Sequence, residues 1–445
     1  MKENDANSHL RRTLGPVMLW GLGVGYVISG MYFGWNLGLA EGGTLGLALA
    51  TLLIILMYVT FTFSYAELAS AIPDAGGAFA YADRALGKKL GFICGLAQII
   101  EFTFAPPAIA AAIGAYLHIF LPSVPVIGIA IVAYFIFTLL NMSGIKAAAS
   151  FELIITILAV VELLIFAGAT LPHFEFENLK ANALPNGIKG IFAAIPFAIW
   201  FFLGIEGLAN VAEETVNPQR NILIGFGSAI GTLVVLCLLT FVSVVGVGGW
   251  EAVVYTSTGE TSDSPLPAAL ALVTGSHNVL YHLLITVGLF GLVASFHGII
   301  LAAGRVTFEF GRVGYIPRRL GSIHLKFKTP ANALVLNMLI GILALITGKT
   351  GEIITISCLG ALTLYILSML SLLVLRKKEP ALERPFRVPA YPWFPVTALL
   401  IALIALGALI TFNFGLALIY FTILGAAYLA FVFFYREKKL VEDRQ

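Results

Sequence analysis

Charge is what this sequence has least of. Only 11% of its 445 residues are Asp, Glu, Lys or Arg, against about a quarter in soluble domains, which excludes a soluble globular fold. Cysteine is scarce too. Cys94, Cys237 and Cys358 each fall inside an apolar run, form no CxxC pattern and read as small core residues rather than redox or zinc ligands. There is no HExxH, no GxSxG and no Cys/His cluster, so no catalytic constellation points to an enzyme and no metal or cofactor is expected. Gly348-Lys349-Thr350 resembles the end of a phosphate loop, yet Leu343 stands where that motif needs glycine. A net charge of +2, without a basic module interleaved with aromatics, gives no reason to expect nucleic acid as a partner, and no obligatory protein partner is evident. The opening residues 1–12 carry early acids and no small-residue cleavage site. They read as a cytoplasmic tail before a retained helix, not as a signal peptide.

What the chain has in abundance is apolar surface. Hydrophobic residues make up 59% of it, and its mean hydropathy is +0.95, so the lipid bilayer is the expected partner along most of its length. The runs are continuous and lack a period of two, as at 45–59, which makes the spans helices rather than barrel strands. At about 20 apolar residues per crossing, the length accommodates roughly twelve. Spans are predicted at 14–40, 44–70, 91–121, 124–142, 147–171, 189–212, 222–249, 278–304, 331–348, 352–375, 392–412 and 416–435. With both termini inside, all of the 26 Lys and Arg residues except Lys180, Lys189 and Lys349 fall on the cytoplasmic side, as the positive-inside rule requires. A multi-pass membrane location follows as an expectation.

Two spans carry helix breakers. The first contains Gly21, Gly23, Gly25 and Gly30, with Tyr26 and Ser29 among them. The sixth contains Pro196, Trp200, Phe201, Gly204, Glu206 and Gly207. Glycine costs up to about 1 kcal/mol per helical position. Such runs serve either close helix packing or mid-membrane unwinding that frees backbone groups for a ligand, and paired interruptions in two halves point to inverted repeats. The organisation expected is a tail at 1–13, a core at 14–375 with repeats at about 14–171 and 189–375, two further helices at 376–435 and a tail at 436–445.

Glu101, Glu162, Glu206 and His297 are the ionisable residues deepest in the predicted spans. A carboxylate there costs about 2.5 to 3.5 kcal/mol even on a lenient scale. Each is either a hydrogen-bonded group joining two helices or part of a functional site. No deep lysine or arginine is available to pair with the acids, which suits a cationic small molecule, a proton, or both. Trp200, mid-span and away from the interfacial belt, reads either as packing or as a movable lid offering a cation-π face.

Several well-separated motifs are similar to the amino acid, polyamine and organocation superfamily of secondary transporters: 65–68 with 73–81, 213–220, 304–317 and 384–389. Within it, segments 23–36, 101–110, 195–202 and 295–300 most resemble bacterial ethanolamine permeases. The resemblance implies an all-α, leucine-transporter-like fold of twelve helices, with a five-plus-five inverted repeat, broken helices one and six, and alternating access. It also implies a site between helices one, three, six and eight. Substrate-binding candidates are therefore Gly25, Tyr26, Ser29, Gly30, Glu101, Trp200, Phe201, Gly204, Glu206 and His297. Proton-coupling candidates are Glu206 and Glu162, with H+ as the expected coupling ion. Amino acid members that this chain resembles place a third glycine where Met31 stands, which puts a carboxylate cradle in doubt. The fifth-helix lysine of some proton-coupled members aligns with Ala159. The expected activity is import of ethanolamine or a similar small amine. The alternative is a proton-coupled amino acid or polyamine carrier.

Overall fold

The computed structural model describes residues 12–74, 76–143, 146–256, 258–324, 327 and 329–442, with backbone only at 146–149 and 434–442. The described residues are overwhelmingly helical, in eighteen α-helices joined by short turns. The first half comprises α1 (Pro16–Gly25), α2 (Ser29–Tyr32), α3 (Leu37–Ala71), α4 (Ala78–Leu86), α5 (Lys88–His118), α6 (Val126–Met142), α7 (Lys146–Thr170) and α8 (Phe176–Lys180). Next come α9 (Gly187–Ala193), α10 (Ile195–Trp200), a 3-10 segment at Ile205–Glu214, α11 (Pro218–Gly248), α12 (Glu251–Val254) and α13 (Pro265–Thr274). The chain finishes with α14 (Val279–Arg312), α15 (Ala331–Ile346), α16 (Thr350–Lys378), α17 (Trp393–Phe412) and α18 (Phe414–Glu442).

Among the described residues nine helical stretches are long and apolar enough to cross a membrane. Leu37–Ala71 is one of them, although Gly43, at φ +64, interrupts it where the sequence places the boundary between the first two spans. The expected spans at 124–142 and 331–348 overlap the shorter apolar helices α6 and α15, while that at 14–40 is divided among α1, α2 and the start of α3. α13 is an additional short helix between the seventh and eighth expected spans. Large apolar side chains such as Leu52, Val132, Ile154, Leu343, Leu400 and Leu418 point outward, as expected where lipid is the solvent.

Local chemistry explains many of the boundaries. Pro16 and Pro218 open α1 and α11, where the missing N–H is harmless. Asn278 caps α14 by accepting from the Leu280 amide at 2.8 Å.

Two opposite ends can be defined by their mutual contacts. At the arginine-rich end, Arg84 bonds Glu379 at 2.6 Å, Arg376 and Arg384 hold Glu67, and Arg305 holds Glu214. There the Thr13 and Leu14 amides also donate to the Glu214 carbonyl, tying the start of α1 to the end of the 3-10 segment. At the other end, Asn186 donates to the Glu41 carbonyl and Trp250 to that of Asn182, while Thr350 donates to Asp263.

Candidate functional site

The two interrupted helices meet at their breaks. Between α1 and α2 the Val27, Gly30 and Met31 amides shift to carbonyls three residues back, and the Ser29 amide loses its bond to the Gly25 carbonyl. The Ser295 hydroxyl of α14 takes its place, accepting from the Ser29 amide at 2.8 Å and donating to the Gly25 carbonyl at 2.7 Å. A polar side chain inserted into the ladder is a recognised cause of a bend. On the other partner, α10 ends at Trp200, a turn follows, and Gly204 at φ +101 starts the 3-10 segment. A side chain on Gly30 would overlap the Trp200 carbonyl oxygen and meet the Phe201 Cα, so glycine is what lets the two breaks touch.

Carboxylates converge beside them. Glu206 sits two residues past the bend, Glu101 comes from α5, and both are fully buried. Their carboxyl groups lie within hydrogen-bond reach of each other. Tyr365 of α16 donates to Glu206 Oε2 at 2.8 Å, and its hydroxyl is 3.0 Å from that of Tyr58. The Gly204 and Glu206 amides also lie within reach of the Glu206 carboxyl, and among the described residues neither acid has a lysine or arginine partner. Gly360 allows α16 to lie against the α5 backbone at Ala97 and Glu101. Pro106 and Pro107 deprive the carbonyls of Phe102 and Thr103 of their helical donors in the turn after Glu101.

Aromatic rings bracket this cluster. Trp200 packs edge-on against Phe33, its indole N–H is buried without a partner, and Gly34 makes room for it. Phe201 stacks on Trp35. The Tyr26 ring is seated between Gly207 and Gly298, where side chains would strike it.

The structure thus gathers Gly25, Tyr26, Ser29, Gly30, Glu101, Trp200, Phe201, Gly204 and Glu206 around the two breaks. It places two predicted residues elsewhere. Glu162 accepts from the Tyr32 hydroxyl at 2.6 Å and lines a separate small cavity with Tyr116 and Phe166. His297 faces Glu152 of α7, its Nδ1 3.3 Å from Oε2, in a narrow cleft that reaches Glu214 and Arg305. Sequence reasoning missed Glu152, Tyr365 and Tyr58. Glu152 lies near a span end, where a carboxylate is unremarked, and buried tyrosines in apolar helices carry no distinguishing pattern.

Residues 14–437 match the family described as amino acid permease. A protein described as an uncharacterized transporter from Rhizobium meliloti is 30% identical over 88% of this chain and 85% of its own length. The branched-chain amino acid permease BcaP of Bacillus subtilis is 27% identical over 88% of this chain and 87% of its own. The low-affinity putrescine importer PlaP of Escherichia coli is 26% identical over 84% of each. With a match spanning nearly the whole chain, this protein belongs to the amino acid permease family, whose members are membrane transporters and not enzymes.

Proposed function

We propose that the chain imports ethanolamine or a similar small amine across the bacterial inner membrane by alternating access, coupled to protons. In this reading it crosses twelve times, its first ten spans form the five-plus-five inverted repeat, and both termini are cytoplasmic. The observation that carries the proposal is the Glu101 and Glu206 pair: two fully buried carboxyls within reach of each other, with no basic partner among the described residues and two helix breaks beside them. An ammonium brings one positive charge and three donors. One ammonium and one proton together neutralise two carboxylates, which is the charge balance of a proton symporter. Inward movement of each charge also gains about 2.3 kcal/mol per 100 mV of membrane potential.

A second observation favours a substrate without a carboxylate. The amides at the first break already have acceptors: Ser29 bonds the Ser295 hydroxyl, and Gly30 and Met31 bond the carbonyls of Val27 and Ile28. The first break therefore offers no free pair of amides to receive an anion. The unpartnered Trp200 indole can donate to a substrate hydroxyl, while its ring covers the ammonium.

The competing reading is a proton-coupled amino acid or polyamine carrier, favoured by the functions for which BcaP and PlaP are named. The test is uptake of radiolabelled ethanolamine into proteoliposomes under an imposed pH gradient, challenged with ethanolamine, putrescine, serine and alanine. Ethanolamine uptake should saturate, accelerate with an acidic exterior, and be blocked by ethanolamine but not by serine or alanine. Glu206→Gln removes one partner of a buried charge pair, worth about 2 kcal/mol or more, so affinity should fall roughly thirtyfold or more. Uptake of alanine or putrescine in place of ethanolamine overturns the substrate. Uptake indifferent to the gradient overturns the coupling.

A further inference from the structure

The cleft at the arginine-rich end holds a second pair of titratable groups that the proposed amine site does not use. Glu152 and His297 come from α7 and α14, are 1% and 6% exposed, and face each other at 3.3 Å. Glu152 Oε1 is buried with no hydrogen-bond partner. The pair is packed directly on the bend of the first helix. A side chain on Gly25 would strike Glu152 Oε1 and the Thr156 hydroxyl, and one on Gly298 would strike the Tyr26 ring.

The groups facing the pair leave it to balance its own charge. From α1 comes the Tyr26 phenol, from the 3-10 segment Glu214, and from α14 itself Arg305. Arg305 and Glu214 neutralise one another at 2.8 Å. α6 contributes only the Phe137 ring and the Asn141 amide, which donates to the His297 carbonyl. With one proton shared between them, Glu152 and His297 are neutral overall. Without it they carry a buried, uncompensated negative charge against the bend.

We infer that Glu152 and His297 together form a proton-binding site that holds the first helix closed over the arginine-rich end. While the pair keeps its proton, α1 packs on it through Gly25 and Tyr26 stays seated between Gly207 and Gly298. When the proton leaves, hydrating the negative pair requires α1 to swing away, and the cleft opens. The proposal goes beyond the amine reading, because it assigns proton-dependent opening to residues on the far side of Tyr26 from Glu101 and Glu206. It depends on that reading only in naming the opened side cytoplasmic.

The test needs no substrate, so a failed ethanolamine assay leaves it intact. A cysteine placed at Leu301, which lines the cleft, is reacted with a maleimide in the full-length purified protein across a pH series. The rate is corrected for the reagent's own pH dependence using the denatured protein. The native Cys94, Cys237 and Cys358 are buried, and the protein without the added cysteine serves as the blank. The corrected rate should rise with pH, by at most roughly tenfold per unit, the limit for one linked proton. Glu152→Gln and His297→Gln should flatten the dependence, and Glu152→Asp, which retains the acid, should restore it. Gel filtration establishes that each variant is folded. A flat profile in the parent, or an unchanged slope in both the Gln variants, overturns the proposal.

Discussion

Glu67 is a buried carboxylate that serves three donors at once. Its oxygens take the Arg376 guanidinium at 2.7 Å, Arg384 at 3.3 Å and the Val388 amide at 2.7 Å, joining α3 to the end of α16 and to the segment before α17. Glu67→Gln leaves two arginines facing a neutral group, so the folded state in detergent should be destabilised by about 3 kcal/mol. The half-buried Glu379, partner of the exposed Arg84, provides the contrast: Glu379→Gln should cost under about 1 kcal/mol. Equal shifts in Tm would refute this ranking. At the opposite end, burial raises the Asp263 carboxyl to about 6, with the Thr350 hydroxyl pulling weakly the other way. The closed loop therefore binds a proton more tightly than the open one. Its stabilisation by acid is present below the ordinary aspartate range and is lost as pH rises through about 6. The Ser262 amide, bonded to the Val254 carbonyl, should lose hydrogen-exchange protection between about pH 5 and about pH 7 relative to Asp263→Asn. Identical profiles would show that Asp263 does not govern the loop. At this scale the sequence exposes Glu101 and Glu206, because an acid amid Ile and Phe is conspicuous. It conceals Glu152, whose position two turns into α7 reads as interfacial, and it gives no sign that His297 is Glu152's partner.

The elements follow the same division between local signal and distant cause. Glycine and proline mark both interrupted helices in the sequence, and the structure unwinds them at Tyr26–Ile28 and Phe201–Gly204. What holds the first bend open is a hydroxyl 266 positions later in the chain, which no local pattern reveals. Why Gly30 is glycine is equally non-local, since the obstacle to a side chain is the Trp200 backbone. Gly30→Ala should force the two broken helices apart. The expected outcome is a protein that still purifies as a folded species, with Tm lowered by the equivalent of about 1 to 3 kcal/mol and substrate uptake lost. Full transport by Gly30→Ala would mean that the contact between the breaks is incidental.

For the whole molecule, the strongest argument for sidedness is where the cations fall. Arg84, Arg305, Arg376 and Arg384 all form ion pairs at one end of the bundle, whereas Lys349 pairs with nearby Glu352, beside the end that holds Asp263. The bilayer permits few alternatives, because each crossing added or removed inverts every later loop and would scatter the arginines over both sides. Lys89 in the first turn of α5, Thr258 and Lys349 are exposed, and the proposed topology puts an odd number of crossings between the first and either of the others. With single cysteines at these positions, an impermeant maleimide added to intact cells should label 258 and 349 and reach 89 only after lysis. Labelling of 89 together with 349 would require an even number of crossings between them. The twelve-span arrangement and the inverted repeat built on it would then fall, while the contact between the two broken helices would still stand.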